Sequence, residues 1–281
     1  MPIDWKNRIL SASSPSGAYR VVPWQVCRDA ALEAGISPRE AELWACENGI
    51  CPSRYERSMG TLGLEGQARL LASRAAVIGC GGLGGWIVEI LARAGVGKMV
   101  VADGDVFGDN NLNRQSLSCE ANIGASKALE ARKRIENLNG SVEVSAWDLF
   151  LTDDNAPEIL NGCHVAVDAL DSNSARKTLL SACRELGIPL VHGAIGGFWG
   201  QACVILPGER APWEMVAGGD KGVEEITGNP PFTPAFIASI EATEAIRLLS
   251  GAGKPLTSLL WCDLQEHEYH KIRIQEQGAK A

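Results

Sequence analysis

From about residue 75 onward the chain alternates short apolar runs with longer stretches in which apolar residues recur every three or four positions. The runs at 75–78, 98–102 and 164–169 predict buried strands, and the alternation at 142–146 predicts another. Between them, 84–94, 125–138 and 175–186 read as helices, the first and last closed by Gly95 and Gly187. Strands at 189–192 and 201–206 follow, then a helix over 235–249 and two strand-like runs within 258–274. This order predicts an α/β fold: a doubly wound, mainly parallel, Rossmann-like sheet covered on both faces. The glycine- and proline-rich stretch 207–234 predicts a long irregular loop, a length that usually signals function or mobility.

Residues 1–52 read differently, as a small helical N-terminal extension ahead of one large domain over 53–281. Ser37-Pro38-Arg39-Glu40 combines an N-cap, a proline in the first turn and a capping-box glutamate, which predicts a helix over 38–48 stopped by Gly49. A second helix is expected over 24–33, ended by Gly35. Two short helices joined by a turn can bind DNA, but Glu33, Glu40, Glu42 and Glu47 oppose phosphate, so a packing or dimer-contact arm is the expected role.

Charge narrows the classes further. A net charge of −8 does not suit broad phosphate neutralisation, so nucleic acid is not an expected partner. Asp4, Lys6, Asn7 and Arg8 interrupt the start where a secretory signal needs an apolar run, and no later segment is long and apolar enough to span a bilayer. A cytoplasmic protein with no membrane association is expected. Its nine cysteines are odd in number and form no Cys-x-x-Cys pair, which predicts reduced thiols. The four histidines share no metal-ligand spacing with them, so zinc is not expected.

The chemistry begins at Gly79-Cys80-Gly81-Gly82-Leu83-Gly84, which leaves a predicted strand and opens a predicted helix. Gly79, Gly81, Gly82 and Gly84 allow a tight turn and close approach of backbone amides to phosphate, and the helix start adds partial positive charge. Asp103, at the end of the next strand, is placed to accept hydrogen bonds from ribose hydroxyls. These features alone define a nucleotide site with NAD as its default ligand. The next stretch changes that default: Asp103-Gly104-Asp105 is followed by Asn111-Leu112-Asn113-Arg114-Gln115 and by Gly124-Ala125-Ser126-Lys127. Arg114 and Lys127 put two cations near the glycine loop, which suits a triphosphate whose charge must be neutralised before an anion attacks it. Asp171 runs off the strand at 164–169 at its carboxyl edge, where an oxygen ligand can hold Mg2+, with Asn111 as an auxiliary. Asp168 lies within the strand and is expected to accept backbone amides of the following turn.

Taken in order, Arg54-Tyr55-Glu56-Arg57, Gly63-Leu64-Glu65-Gly66-Gln67, the glycine loop, Asp103-Gly104-Asp105, the 111–115 and 124–127 segments and the run from Asp171 to Arg176 resemble the ThiF/MoeB/HesA group of ubiquitin-activating-enzyme-like proteins. The resemblance implies a homodimeric ATP-binding adenylation domain that activates the C-terminal Gly-Gly carboxylate of a small β-grasp sulfur-carrier protein, with a separate sulfur donor completing the chemistry. It implies that Asp103 binds ribose, that Arg114, Gln115 and Lys127 contact phosphates, that Asp105 and Asn111 belong to the ATP site, and that Asp171 holds Mg2+. It further implies that Arg57 reaches into the partner subunit's site as an arginine finger. The chain departs from many relatives where Pro207-Gly208-Glu209-Arg210-Ala211-Pro212-Trp213-Glu214 replaces a first pair of zinc cysteines. No cysteine lies in 207–234, and Cys203, on a predicted strand, reads as an inert core thiol, so an enzyme that stops at the adenylate is expected. Phe198 and Trp199 are candidates to line a channel for the carrier's tail. An NAD-dependent oxidoreductase, a catalytically silent scaffold and a member acting on tRNA are the alternatives.

Overall fold

The computed structural model describes residues 4–214 and 224–274. The N-terminal part comprises α1 (Trp5–Ala12), a small sheet of β1 (Ser14–Ser16), β2 (Tyr19–Val22) and β3 (Ile50–Pro52), and the helices α2 (Trp24–Ala34) and α3 (Pro38–Glu47). Gly35 ends α2 in the left-handed conformation. At the start of α3 the Glu40 amide donates to Ser37 Oγ at 3.2 Å and the Ser37 amide donates to Glu40 Oε2 at 2.8 Å, the reciprocal capping the sequence predicts. One carboxylate departs from expectation. Glu42 is fully buried rather than facing solvent, because α3 turns it toward the segment that follows β3.

A 3-10 turn over Ser53–Ser58 leads into α4 (Met59–Ala72), β4 (Arg74–Ile78), α5 (Gly82–Ala94), β5 (Lys98–Ala102), α6 (Lys127–Leu138) and β6 (Glu143–Trp147). The chain continues through α7 (Ala156–Leu160), β7 (Val165–Asp168), α8 (Asn173–Leu186), β8 (Leu190–Gly196) and β9 (Trp199–Ile205). It ends with α9 (Glu224–Thr227), α10 (Phe232–Ser250), β10 (Leu259–Asp263) and β11 (Glu268–Ile272). Eight described strands form one sheet in the order β11-β10-β9-β8-β7-β4-β5-β6. The pairs from β8 to β6 are parallel, and those from β8 to β11 antiparallel.

Alternation along the parallel strands explains the layers. Ala75 and Val77 of β4 face a core with Ile87, Leu91, Ile237 and Ala242, on the side of α5 and α10. Ala76 and Ile78 face the opposite core with Ile159, Leu160, Leu179 and Cys183, on the side of α7 and α8. With both faces covered, every β4 residue after Arg74 is buried. The strand after β4 lies on one side of it and β7 lies on the other, so the order reverses at β4, where open α/β sheets form a ligand crevice.

Four helix starts differ from the sequence reading by two or three residues; those expected from 84 and 175 begin at Gly82 and Asn173. The helix expected from 125 begins at Lys127, because Ser126 is its N-cap, and the helix expected from 235 begins at Phe232. Pro234 fits that first turn because its missing amide would have no helical partner there. The expected loop over 207–234 lies partly outside the described residues, at 215–223; its described parts include a 3-10 turn at Pro212–Glu214 and α9. Among the described residues, no helix is long and apolar enough to cross a membrane.

In α10, Glu241 is fully buried, and neither carboxylate oxygen has a hydrogen-bond partner. Gly193 makes room for it: a Cβ there would lie 2.3 Å from Glu241 Cδ. Burial, reinforced by the negative charge of Asp168, pushes the Glu241 carboxyl well above the ordinary carboxylate range. As pH rises above that range the unfolded chain releases this proton while the folded chain keeps it, so stability falls with pH. Glu241→Met is therefore expected to stabilise the protein by roughly 1–3 kcal/mol, since it removes an unsatisfied buried polar group. The gain should widen as pH rises above the ordinary carboxylate range, as measured by denaturant unfolding. A gain that is absent, or that does not change with pH, would contradict this reading.

Candidate nucleotide site

At the switch point the chain passes from β4 into α5 through the glycine loop. Gly79 adopts φ +95°, and a Cβ there would lie 2.5 Å from the Ala169 carbonyl oxygen; a Cβ on Gly84 would lie 1.9 Å from the Gly79 oxygen. These two glycines let the ends of β4, α5 and β7 approach closely. Gly81 and Gly82 act differently, since a Cβ on either would meet only side chains, Gln115 Nε2 at 3.6 Å or Pro234 at 3.5 Å. No side chain caps the start of α5, so its first amides are left for an anion.

The carboxylate of Asp103 braces the loop from the end of β5. It accepts from the Cys80 amide at 2.7 Å and from the Asp105 amide at 2.8 Å, and each oxygen keeps a second lone pair. Burial lifts this carboxyl above its ordinary range, while the two amides and Lys127 act in the opposite direction. Cys80, within the loop, is buried, and its thiol is pushed far up by burial.

Both cations that the sequence singled out flank this loop. Lys127, side chain 9% exposed, pairs with Asp105 at 3.0 Å, and its amide donates to the Asp105 carbonyl at 3.0 Å. A lysine at the first position of a helix opposes the macrodipole, so α6 gains no stability from that charge. Arg114 donates to the Asn110 carbonyl at 2.8 Å and to Asn113 Oδ1 at 2.9 Å. Its Cγ lies 4.0 Å from where a Gly82 Cβ would be, and it has no carboxylate partner among the described residues. Gln115 is buried with Oε1 unpartnered. Asn111 is also buried; its Oδ1 accepts from the Gly108 amide at 3.0 Å, so its side chain shapes the turn that presents Arg114 and Gln115.

Asp171 stands on the other side of the loop, at the exit of β7, exposed and without a partner among the described residues. The turn behind it is fixed from below. Asp168 Oδ1 accepts from the Leu170 amide at 3.0 Å, as its strand position predicts, and Arg176 donates to the Leu170 carbonyl at 2.6 Å while pairing with Asp168 at 3.3 Å. His192 Nδ1 meets Asp168 Oδ2 at 2.7 Å, and the ring of Trp213 lies 4.5 Å from that of His192. Burial depresses the His192 pKa, against the pull of Asp168, and so favours the neutral ring. The sequence reading gave no role to His192, Arg176 or Trp213. An arginine in the first turn of α8, again the wrong sign for a helix start, is the one local signal it offered.

An exposed carboxylate at the edge of the crevice offers the hard oxygen donors that a magnesium ion takes, and Asp171 has that character. Arg57 is not part of this gathering. Its neighbour Tyr55 is buried against Gly95, at the C-terminal end of α5, where a glycine Cβ would lie 2.6 Å from the tyrosine ring. The glycine loop opens the other end of that helix, about 20 Å away at 1.5 Å per residue. All nine cysteines are free, and only Cys119 is exposed. Burial pushes the Cys203 thiol up to about 12.

A doubly wound sheet with an uncapped glycine-rich helix start and flanking cations at its switch point defines a nucleotide-binding α/β domain. Residues 55–280 match the ThiF family. The chain is 38% identical over 226 residues to the SAMP-activating enzyme E1 of Haloferax volcanii, covering 78% of this chain and 84% of that protein. It is 36% identical over 241 residues to the sulfur carrier protein adenylyltransferase of Thermus thermophilus, covering 79% and 87%. Among solved structures, E. coli MccB with ATP shares the fold at a TM-score of 0.69 and 18% identity, covering 89% of this chain and 83% of that one. The chain belongs to the ThiF family.

Proposed function

We propose that the protein is an adenylyltransferase that uses ATP to activate the C-terminal Gly-Gly carboxylate of a small sulfur-carrier protein. The observation that carries this reading is Arg114, with no carboxylate partner among the described residues, beside the glycine loop, with Lys127 and Asp171 flanking the same crevice. The names and extents of the relatives at 36% and 38% identity support it.

In this reading the free amides of α5 and the side chains of Arg114, Gln115 and Lys127 hold the phosphates, and Asp103 receives the ribose. Asp171 would hold Mg2+, which when bound neutralises phosphate charge. The carrier's carboxylate oxygen attacks the α-phosphorus, the bond to the bridging oxygen breaks, and pyrophosphate leaves with that electron pair. An acyl adenylate remains, with no proton transferred. Two anions must meet, so charge screening and alignment carry the catalysis. Lys127 is shared with Asp105 in the free protein, and an arriving triphosphate competes for it. Cys203, buried and weakly acidic, takes no covalent part, so a separate donor protein supplies the sulfur.

The protein works as a homodimer in the cytoplasm, with Arg57 entering the partner's site, since it lies beside the far end of α5 from its own glycine loop. ATP–pyrophosphate exchange with a panel of Gly-Gly-ended carriers tests the function. Exchange that requires one carrier and its terminal glycines supports it, and exchange with none of them contradicts it.

A further inference from the structure

We propose that Glu42 and Tyr55 are positioning residues for Arg57, so that the N-terminal extension serves as the mount of the catalytic arginine. The inference rests on the reading of Arg57 as a residue of the ATP site. Arg57 is exposed on the short 3-10 turn Ser53–Ser58, a kind of segment with poor internal hydrogen bonding. An arginine that must meet phosphate charge in a fixed geometry needs a fixed main chain, and here side chains on either side of it supply the rigidity. Tyr55 and Met59 are its two buried neighbours, 1% and 7% exposed.

Three parts of the molecule meet at the Tyr55 hydroxyl. It donates to Glu42 Oε2 of α3 at 2.9 Å and accepts from Asn139 Nδ2, at the end of α6, at 3.0 Å. Asn139 Nδ2 also donates to the Ala92 carbonyl of α5 at 3.0 Å. Arg54, on the same turn as Arg57, donates to Asn139 Oδ1, pairs with Glu42 at 3.4 Å and stacks over Trp24 of α2 at 4.4 Å. Ser53 Oγ accepts from the Trp24 amide at 3.1 Å, and the strand just before the turn, β3, pairs with β2. The turn is thus rooted in the extension at its start and tied through one hydroxyl to the C-terminal ends of α5 and α6.

Apolar packing alone could hold the extension against the domain. Glu42 is instead fully buried, and burial raises its pKa. A buried polar network of this kind is a weak route to stability, but its directional bonds fix one orientation of the turn.

The test compares Tyr55→Phe and Glu42→Gln in the full-length protein, with Arg57→Ala alone and combined with Tyr55→Phe. The readout is ATP–pyrophosphate exchange with the cognate carrier. Each single change at the mount is expected to lower kcat about tenfold while KM for ATP stays within about twofold, because a small displacement of an aligned group costs rate rather than nucleotide binding. In the Arg57→Ala background, Tyr55→Phe is expected to change kcat by less than about twofold, since the misplaced group is already gone. A loss arising from general loosening of the fold would instead recur in both backgrounds, and that result overturns the inference. So does native kcat in both mount variants. Thermal unfolding shows which variants are folded at the assay temperature, and if Tyr55→Phe is not, Glu42→Gln carries the same comparison. If Arg57→Ala itself keeps native exchange, the assignment of Arg57 falls and this inference with it. An impaired Arg57→Ala beside unimpaired mount variants overturns the inference alone.

Discussion

Replacing Asp171 with alanine is expected to lower ATP–pyrophosphate exchange by on the order of a thousandfold while leaving the melting temperature nearly unchanged. The structure gives both halves of this expectation. Asp171 is exposed and bonded to nothing among the described residues, so its loss breaks no folding contact. The turn that carries it is held from beneath by Asp168 and Arg176, which alanine at 171 leaves in place. Exchange assays across a magnesium titration are the check, and the variant's residual rate should not return to the native level at high magnesium. Near-native exchange by Asp171→Ala would remove this carboxylate from the site.

The second large effect concerns Arg57. Arg57→Ala is expected to cost roughly a hundredfold to a thousandfold in exchange, the range seen when one donor to developing charge is removed. Its position beside the far end of α5 adds a stricter expectation. Arg57→Ala lacks only the arginine and Asp171→Ala lacks only the carboxylate, so a mixed dimer contains one site with an intact Asp171 from one subunit and an intact Arg57 from the other. Equal mixing with free subunit exchange should restore about a quarter of the native sites, although each variant alone is nearly inactive. Absence of any recovery in demonstrably mixed dimers would place Arg57 outside the partner's site.

Much of the candidate site was legible in the sequence because its parts are local. The glycine loop, Asp103 and the 111–115 segment each sit within a few residues of a strand end, and strand periodicity locates those ends. Asp168 could be separated from Asp171 by position alone, one inside the strand and one beyond it. The elements that escaped the pattern have identifiable causes. In α4, Gly60, Gly63 and Gly66 lower helix propensity, and Gly63 interrupts the helix at φ +64°; tertiary packing against α3 and α10 holds it. The cluster of Asp168, His192, Arg176 and Trp213 brings together two strands, a helix and a loop, a juxtaposition that no local spacing encodes. Glu42 read as a surface acid because helix periodicity says nothing about a tyrosine hydroxyl waiting 13 residues later.

Resemblance supplied what periodicity lacked, namely a role for Arg57. Geometry then added a constraint that the motif does not contain. The loop and Tyr55 occupy opposite ends of one 13-residue helix, so a turn anchored by that tyrosine lies about 20 Å from the chain's own glycine loop. This follows from the length of α5 and the close approach of Tyr55 to Gly95.

The most direct measurement is the intact mass of the carrier after incubation with the protein, ATP and magnesium. The account requires a gain equal to one adenylyl group on a Gly-Gly-ended carrier, pyrophosphate in solution, and no gain when the terminal glycines are removed. Release of ADP instead, or an unmodified mass for every such carrier, would contradict it.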